Sequence, residues 1–137
     1  MPSTKRAKLV FVCDFNVARS PVAECVFRRR LEEREPSLLE TISVSSAGLL
    51  TKELQKLLKG HNLSMFEPLW GRKVPKYVVD LMLKEERVDL SFARSKPLTE
   101  EMVKDSNLLI PVTNTLKEEI LHIWPWSNGK VSTIDEL

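Results

Sequence analysis

A cysteine and an arginine are separated by five residues in the segment CDFNVARSP, which covers residues 13–21. The Cys13 sulfur is a nucleophile when ionised, and the planar Arg19 guanidinium can hold two oxygens of a phosphoryl group, which a lysine cannot do. A predicted strand precedes the segment and a predicted helix follows it. The backbone N–H groups from Asp14 to Arg19 can therefore converge on one anion at the positive end of the helix. The spacing predicts a phosphate-binding loop with Cys13 beneath the phosphorus, where the same field favours its thiolate.

The other residues of this loop are predicted to bind phosphate or to support the loop. Asn16 is the residue most able to adopt a left-handed conformation in a loop without glycine, and its amide can hold neighbouring hydroxyl groups. Ser46, at the end of the next predicted strand, is the expected partner of Asn16. The Ser20 hydroxyl can donate to the Cys13 sulfur and can cap the following helix, with Pro21 at the first helical position. The predicted phosphate-binding set is Asp14, Phe15, Asn16, Val17, Ala18, Arg19 and Ser20.

Strands alternate with helices along the chain. Residues 8–13 are a continuous apolar run rich in β-branched and aromatic side chains, which is typical of a strand buried on both faces. Further strands are predicted at 42–47, closed by Gly48, and at 107–113 and 130–134. Helices are predicted from residue 21 to Pro36 and at 52–60, 75–86, 98–106 (with Thr99 as N-cap) and 115–123, with a surface loop at 62–75.

This order predicts an α/β fold in a single domain over residues 1–137. It is a three-layer, flavodoxin-like, doubly wound sandwich with a four-stranded open parallel sheet and helices on both faces. In such sheets ligands bind at the carboxyl ends of the strands, which is where the loop after the first strand lies.

The composition excludes several classes of protein. A chain of 137 residues with 42% hydrophobic and 29% charged residues is typical of one globular domain, and a net charge of +2 is far from that of a nucleic-acid-binding protein. No apolar run approaches the roughly 20 residues that cross a bilayer, so we expect a cytoplasmic protein without a membrane partner. The two cysteines have no metal-ligand spacing, and no metal site is expected.

The segment VFVCDFNVARSPVAE resembles the signature of the low-molecular-weight protein tyrosine phosphatases, V-C-x-G-N-x-x-R-S-P-x-A-E. The likeness continues in SSAG at 45–48, in VDLS from residue 88, in LTEE at 98–101 and in the apolar segment at residue 108, so it extends over nearly the whole chain.

The resemblance implies a two-step reaction. Cys13 takes the phosphoryl group as a phosphocysteine, which water then hydrolyses, while Arg19 clamps the phosphate and Asn16, Ser20 and Ser46 support the loop. The implied substrates are phosphotyrosine in proteins or small aryl phosphates, and inorganic phosphate or sulfate can occupy the loop. No cofactor is implied.

The sequence departs from the family pattern at four places. Phe15 stands where the family usually has glycine, and Asp14 adds a carboxylate that weakens phosphate binding unless it points to solvent. The histidine often found in the segment matching 91–96 is absent. The chain also has no Asp-Pro pair, which supplies the family's general acid, and we expect that it is truncated or naturally shortened after Leu137. Otherwise Asp135 or Glu136 donates the proton, or turnover is poor.

Other functions and roles stay open at this stage. A non-catalytic module that binds phosphate or phosphoproteins accounts for the departures, whereas an arsenate reductase needs relay cysteines that do not follow Cys25. Cys25 is expected to pack as a small apolar residue rather than act as a redox partner. Trp70 either lines the substrate entrance or anchors local packing. The region 49–74, which replaces a short specificity loop of the family, does not indicate the natural substrate.

Overall fold

Three parallel strands form the sheet of the computed structural model, which describes residues 6–61 and 70–137. Strand β1 spans Ala7–Cys13, β2 spans Ile42–Gly48 and β3 spans Leu108–Pro111. The order is β2-β1-β3, and both neighbours are parallel to β1. The apolar run of β1 therefore occupies the centre, as a strand without a polar face requires.

Five helices connect these strands within the described ranges: α1 at Arg19–Arg34, α2 at Lys52–His61, α3 at Lys76–Glu86, α4 at Glu100–Asp105 and α5 at Asn114–Ile123. Short 3₁₀ helices occur at Pro36–Glu40, Pro125–Lys130 and Ile134–Glu136. The Thr99 hydroxyl accepts the Met102 backbone N–H at 3.2 Å, so the predicted N-cap of α4 is confirmed.

Apolar side chains cover both faces of the sheet, as predicted. On one face Val10 and Val12 pack with Val103 of α4 and Ile120 of α5. On the other face Phe11 packs with Val44 and Ile110 and against Phe27 of α1. A third cluster joins α3 to α1 through Val78 and Met82, with Val22 and Cys25 packed against it. The alternation of inward faces along β1 places one helical layer on each side of the sheet.

The predicted fourth strand at 130–134 is wrong. Val131 makes a single parallel bridge with Leu109, and the Ser132 N–H donates to the Leu109 carbonyl at 3.0 Å. The next amide, that of Thr133, donates instead to the Glu136 carboxylate at 2.8 Å, and Thr133 and Glu136 form a capping box. Because this carboxylate takes the amide at Thr133, the chain turns into a 3₁₀ helix after one bridge.

The predicted surface loop at 62–75 lies partly outside the described residues, because 62–69 are not described. Its remainder is held by an antiparallel bridge between Lys73 and Arg94, and the Gly71 N–H donates to the Ser95 carbonyl at 2.7 Å. Across the described parts of the chain, no helix is long and apolar enough to span a membrane.

Candidate phosphate-binding site

The loop between β1 and α1 lies at the carboxyl edge of the sheet. Cys13 is the last residue of β1, is 3% exposed and is followed by α1 from Arg19. Asn16 has φ 58°, which is the left-handed conformation predicted from the sequence, and its side chain is buried. This one residue reverses the chain direction between the strand and the helix, so the loop curls over the Cys13 sulfur.

Two donors surround the Cys13 sulfur. The Asn16 backbone N–H donates to Sγ at 3.1 Å, and Ser20 Oγ lies 2.9 Å from the same atom. Ser20 Oγ also accepts a hydrogen bond from Asn16 Nδ2 at 2.8 Å, which leaves its own proton free to be donated to the sulfur. The Cys13 sulfur is therefore held by contacts to two residues of the loop that follows it.

The predicted capping role of Ser20 is wrong. Helix α1 begins at Arg19 with Ala18 as its N-cap, and no side chain caps it. Ser20 is the second helical residue, is fully buried and uses its hydroxyl in the loop. Pro21 lies within the first turn, where its missing N–H costs no hydrogen bond.

The Asn16 amide joins this loop to two other segments. Its Nδ2 donates to Ser46 Oγ at 3.0 Å, the contact expected from the sequence, and its Oδ1 accepts the Lys96 backbone N–H at 3.0 Å. Because Lys96 supplies a donor on one side and Ser46 an acceptor on the other, only one orientation of the amide satisfies both. The same orientation makes Asn16 the donor to Ser20.

Glu24 and Arg28 extend this network, and the sequence analysis missed both. Ser46 Oγ donates to Glu24 Oε1 at 2.7 Å, while Arg28 Nη2 donates to Glu24 Oε2 at 2.8 Å and to the Val44 carbonyl at 2.7 Å. A carboxylate only accepts, so Glu24 fixes Ser46 as an acceptor toward Asn16. The available signals were the position of Glu24 as the last residue of the signature and its i, i+4 spacing from Arg28.

Three loop amides are free for an anion. The backbone N–H groups of Phe15, Val17 and Ala18 have no protein acceptor among the described residues. Phe15 is half-buried and does not have a positive φ, so the loop does not use the conformational freedom that glycine would bring at this position. The loop therefore offers unpaired donors beside the Cys13 sulfur, as an anion cradle requires.

Arg19 is engaged by a neighbour within the loop. Its Nη2 lies 2.6 Å from Asp14 Oδ2 in an ion pair, and the two side chains are 52% and 21% exposed. The Asp14 carboxylate thus pairs with Arg19, the predicted phosphate clamp, rather than pointing to solvent alone.

Trp70 lies against the same edge of the loop. A Cβ placed on Gly48 would be 2.6 Å from Trp70 Cζ3 and 2.9 Å from the Asp14 carbonyl oxygen. The indole therefore packs on Gly48 close to Asp14. This position fits both roles that the sequence left open for Trp70.

Other candidate residues lie away from the loop. Burial first and Glu24 second raise the pKa of the Cys25 thiol, which packs in the cluster between α1 and α3. Asp135 is exposed, and hydrogen bonds from Lys117 and Thr133 lower the pKa of Glu136 to about 2. Neither carboxylate bonds to the loop, and the described residues contain no group of three or more His, Cys, Asp or Glu side chains that could hold a metal.

Comparison with known proteins identifies the family. A sequence profile described as low molecular weight phosphotyrosine protein phosphatase matches residues 8–67. A protein-arginine-phosphatase of Bacillus subtilis (strain 168) is 30% identical over 128 residues, which cover 93% of this chain and 70% of that relative. The chain belongs to the low molecular weight phosphotyrosine protein phosphatase family. The resemblance seen in the sequence is confirmed.

Solved structures of this phosphatase family share the fold. The low molecular weight protein tyrosine phosphatase from T. tengcongensis is 25% identical and has a TM-score of 0.73, with 95% of this chain and 74% of that chain covered. A cysteine-to-serine mutant of the YwlE arginine phosphatase, with a phosphorylated active site serine, is 27% identical and has a TM-score of 0.70, with 94% and 70% covered. The relatives therefore include phosphatases named for phosphotyrosine and for phosphoarginine.

Proposed function

We propose that the protein hydrolyses phosphate monoesters through a phosphocysteine on Cys13. The observation that carries this proposal is the sulfur itself, which accepts the Asn16 N–H at 3.1 Å and lies 2.9 Å from Ser20 Oγ, beneath a loop with unpaired amides. The loop amides together with Arg19 can hold the three non-bridging oxygens of a phosphoryl group.

The reaction then has two balanced steps. The Cys13 sulfur attacks phosphorus, an S–P bond forms, and the bond from phosphorus to the leaving atom, which is oxygen in an ester and nitrogen in a phosphoarginine, breaks as that atom takes a proton. Water next attacks the phosphorus, the S–P bond breaks, and the Ser20 hydroxyl stabilises the departing thiolate at 2.9 Å. The phosphorylated active site serine of the YwlE relative supports a covalent intermediate at this position. The donor of the leaving-group proton stays unassigned.

Phosphotyrosine in proteins and small aryl phosphates are the first candidate substrates. The Trp70 indole beside Asp14 offers a face on which an aromatic leaving group can stack. Phosphoarginine is the second candidate, because the relative from Bacillus subtilis that is 30% identical bears that activity in its name.

The test is hydrolysis of p-nitrophenyl phosphate by the wild-type chain and three variants. Cys13→Ser and Arg19→Ala should abolish turnover. Cys25→Ser should retain it, because that thiol packs away from the loop. An unchanged rate in Cys13→Ser would refute the covalent mechanism, and phosphate binding without turnover in the wild-type chain would identify a binding module instead.

Leaving groups provide a second measurement. With no general acid assigned, the rate of hydrolysis should remain measurable for activated aryl esters and fall steeply for esters with poor leaving groups. Equal rates on both would mean that a proton donor is present in the chain.

A further inference from the structure

The Asp14 carboxylate forms an ion pair with the Arg19 guanidinium that the proposed reaction needs. Asp14 Oδ2 lies 2.6 Å from Arg19 Nη2, and both side chains are partly exposed, which places the pair at the open side of the loop. A phosphoryl group that enters the loop must compete with this carboxylate for Arg19, because both are anions that recognise the same planar fork of donors.

Asp14 directly follows Cys13 in the chain, so its carboxylate stays within the loop when Arg19 changes partner to the phosphoryl group. A negative charge next to a phosphoryl dianion weakens binding. A phosphoryl group attached to a guanidinium differs, since that cation brings N–H donors that the Asp14 carboxylate can accept. An aryl ester brings neither the charge nor the donors.

Trp70 does not discriminate between these two substrates. Its ring packs on Gly48 next to the Asp14 backbone. An indole face stacks on a phenyl ring and also attracts a guanidinium cation. The charge at Asp14 is therefore the feature of this edge that separates the two classes.

We propose that Asp14 is the specificity-determining residue of this site, disfavouring aryl phosphates relative to phosphorylated guanidinium groups. The inference rests on the proposed phosphatase function. It concerns the ratio between the two substrate classes, whichever of them the wild-type chain hydrolyses faster.

The experiment compares two peptides with one flanking sequence, one carrying phosphotyrosine and the other phosphoarginine. In Asp14→Asn and Asp14→Ala, the ratio of kcat/KM for phosphotyrosine to that for phosphoarginine should rise about tenfold, the size expected for one charge removed beside a solvent-exposed anion. Asparagine keeps the shape of the Asp14 side chain and can still accept a hydrogen bond from Arg19, whereas alanine removes that contact. The two variants therefore separate the effect of the charge from the effect of the contact.

Asp80→Asn is the matched control. Like Asp14, Asp80 forms an ion pair, with Lys76 Nζ at 3.0 Å, but it is exposed on α3. Its substitution by asparagine removes the same unit of charge. Its ratio should equal that of the wild-type chain. A ratio within twofold of wild type in both Asp14 variants, or an equal change in Asp80→Asn, would overturn the inference.

Binding distinguishes failure of the inference from failure of the proposed function. If the wild-type chain hydrolyses neither peptide nor p-nitrophenyl phosphate, the proposed function is wrong, and inorganic phosphate is titrated by calorimetry into Cys13→Ala with and without Asp14→Asn. The Asp14→Asn change should tighten the Kd for phosphate about tenfold. Equal Kd values would overturn the inference independently of any activity.

Discussion

The stability of the loop should depend on the Asn16 side chain more than on any single apolar contact near it. That side chain makes three hydrogen bonds, to Ser20, Ser46 and the Lys96 amide, and is only 2% exposed. Asn16→Ala removes all three at about 1 kcal/mol each and leaves buried partners unsatisfied. The φ of 58° adds strain of roughly 1–2 kcal/mol for a residue with a Cβ and no polar side chain.

Asn16→Gly separates these contributions. Glycine loses the same hydrogen bonds but adopts the left-handed conformation freely, at an unfolded-state entropy cost of roughly 0.4–1 kcal/mol relative to alanine. We expect the free energy of unfolding to fall by about 4–5 kcal/mol in Asn16→Ala and by about 3–4 kcal/mol in Asn16→Gly.

The assay is urea denaturation followed by circular dichroism, with Asn114→Ala as the control. Asn114 makes one exposed hydrogen bond, to Glu118 at 3.3 Å, so its variant should lose no more than about 0.5 kcal/mol. Losses below about 1 kcal/mol in both Asn16 variants would show that the network does not stabilise the fold. If Asn16→Ala were as stable as Asn16→Gly, the claim that a φ of 58° is strained for a residue with a Cβ would be refuted.

Three further predictions concern the surroundings of the loop, the N-cap of α5 and the ion pair between Lys117 and Glu136. Gly48→Ala should lower the free energy of unfolding by about 1–3 kcal/mol and shift the fluorescence of Trp70, because the new Cβ meets the indole and the Asp14 carbonyl. The Gly48 backbone cannot move away easily, since it is hydrogen-bonded to Lys96 and Leu98. Gly129→Ala is the control: Gly129 has open space around it, so neither quantity should change. Thr113→Ala should cost about 1 kcal/mol in thermal denaturation, since the Thr113 hydroxyl accepts the Leu116 N–H at the start of α5, and no loss would contradict the cap. The pKa of Glu136 is lowered to about 2 by Lys117, so the stability from this pair should be fully present above about pH 5 and lost as the pH falls toward 2. A Tm difference between wild type and Lys117→Met that stays constant down to pH 2 would contradict this.

The elements of the fold were predictable from the sequence because their signals are local. The apolar run of β1, the break at Pro36 and the Thr99 cap depend on neighbouring residues, and the structure places elements at these positions. The prediction of a fourth strand was wrong because a strand needs a continued series of hydrogen bonds to a partner strand. After the Ser132 amide has bonded to Leu109, the capping box of Thr133 and Glu136 starts a 3₁₀ helix at Ile134, and this turn is not visible in the apolar pattern.

The central contacts of the candidate site were predictable for the same reason. Cys13, Asn16 and Ser20 belong to one turn of chain, so their spacing alone brings the amide and the hydroxyl to the sulfur. Two other hydrogen bonds depend on how the sheet and α1 pack. The Lys96 amide donates to Asn16, 80 residues away, and the Ser46 hydroxyl donates to Glu24, 22 residues away. The direction of the Asp14 side chain, toward Arg19 rather than solvent, was likewise open in the sequence, because a carboxylate in a loop can satisfy its charge in water or with a guanidinium. Chain connectivity is enough to place a cysteine in a loop with its hydrogen-bond donors, whereas the contacts with Lys96 and Glu24 that orient the loop follow from packing between segments distant in sequence.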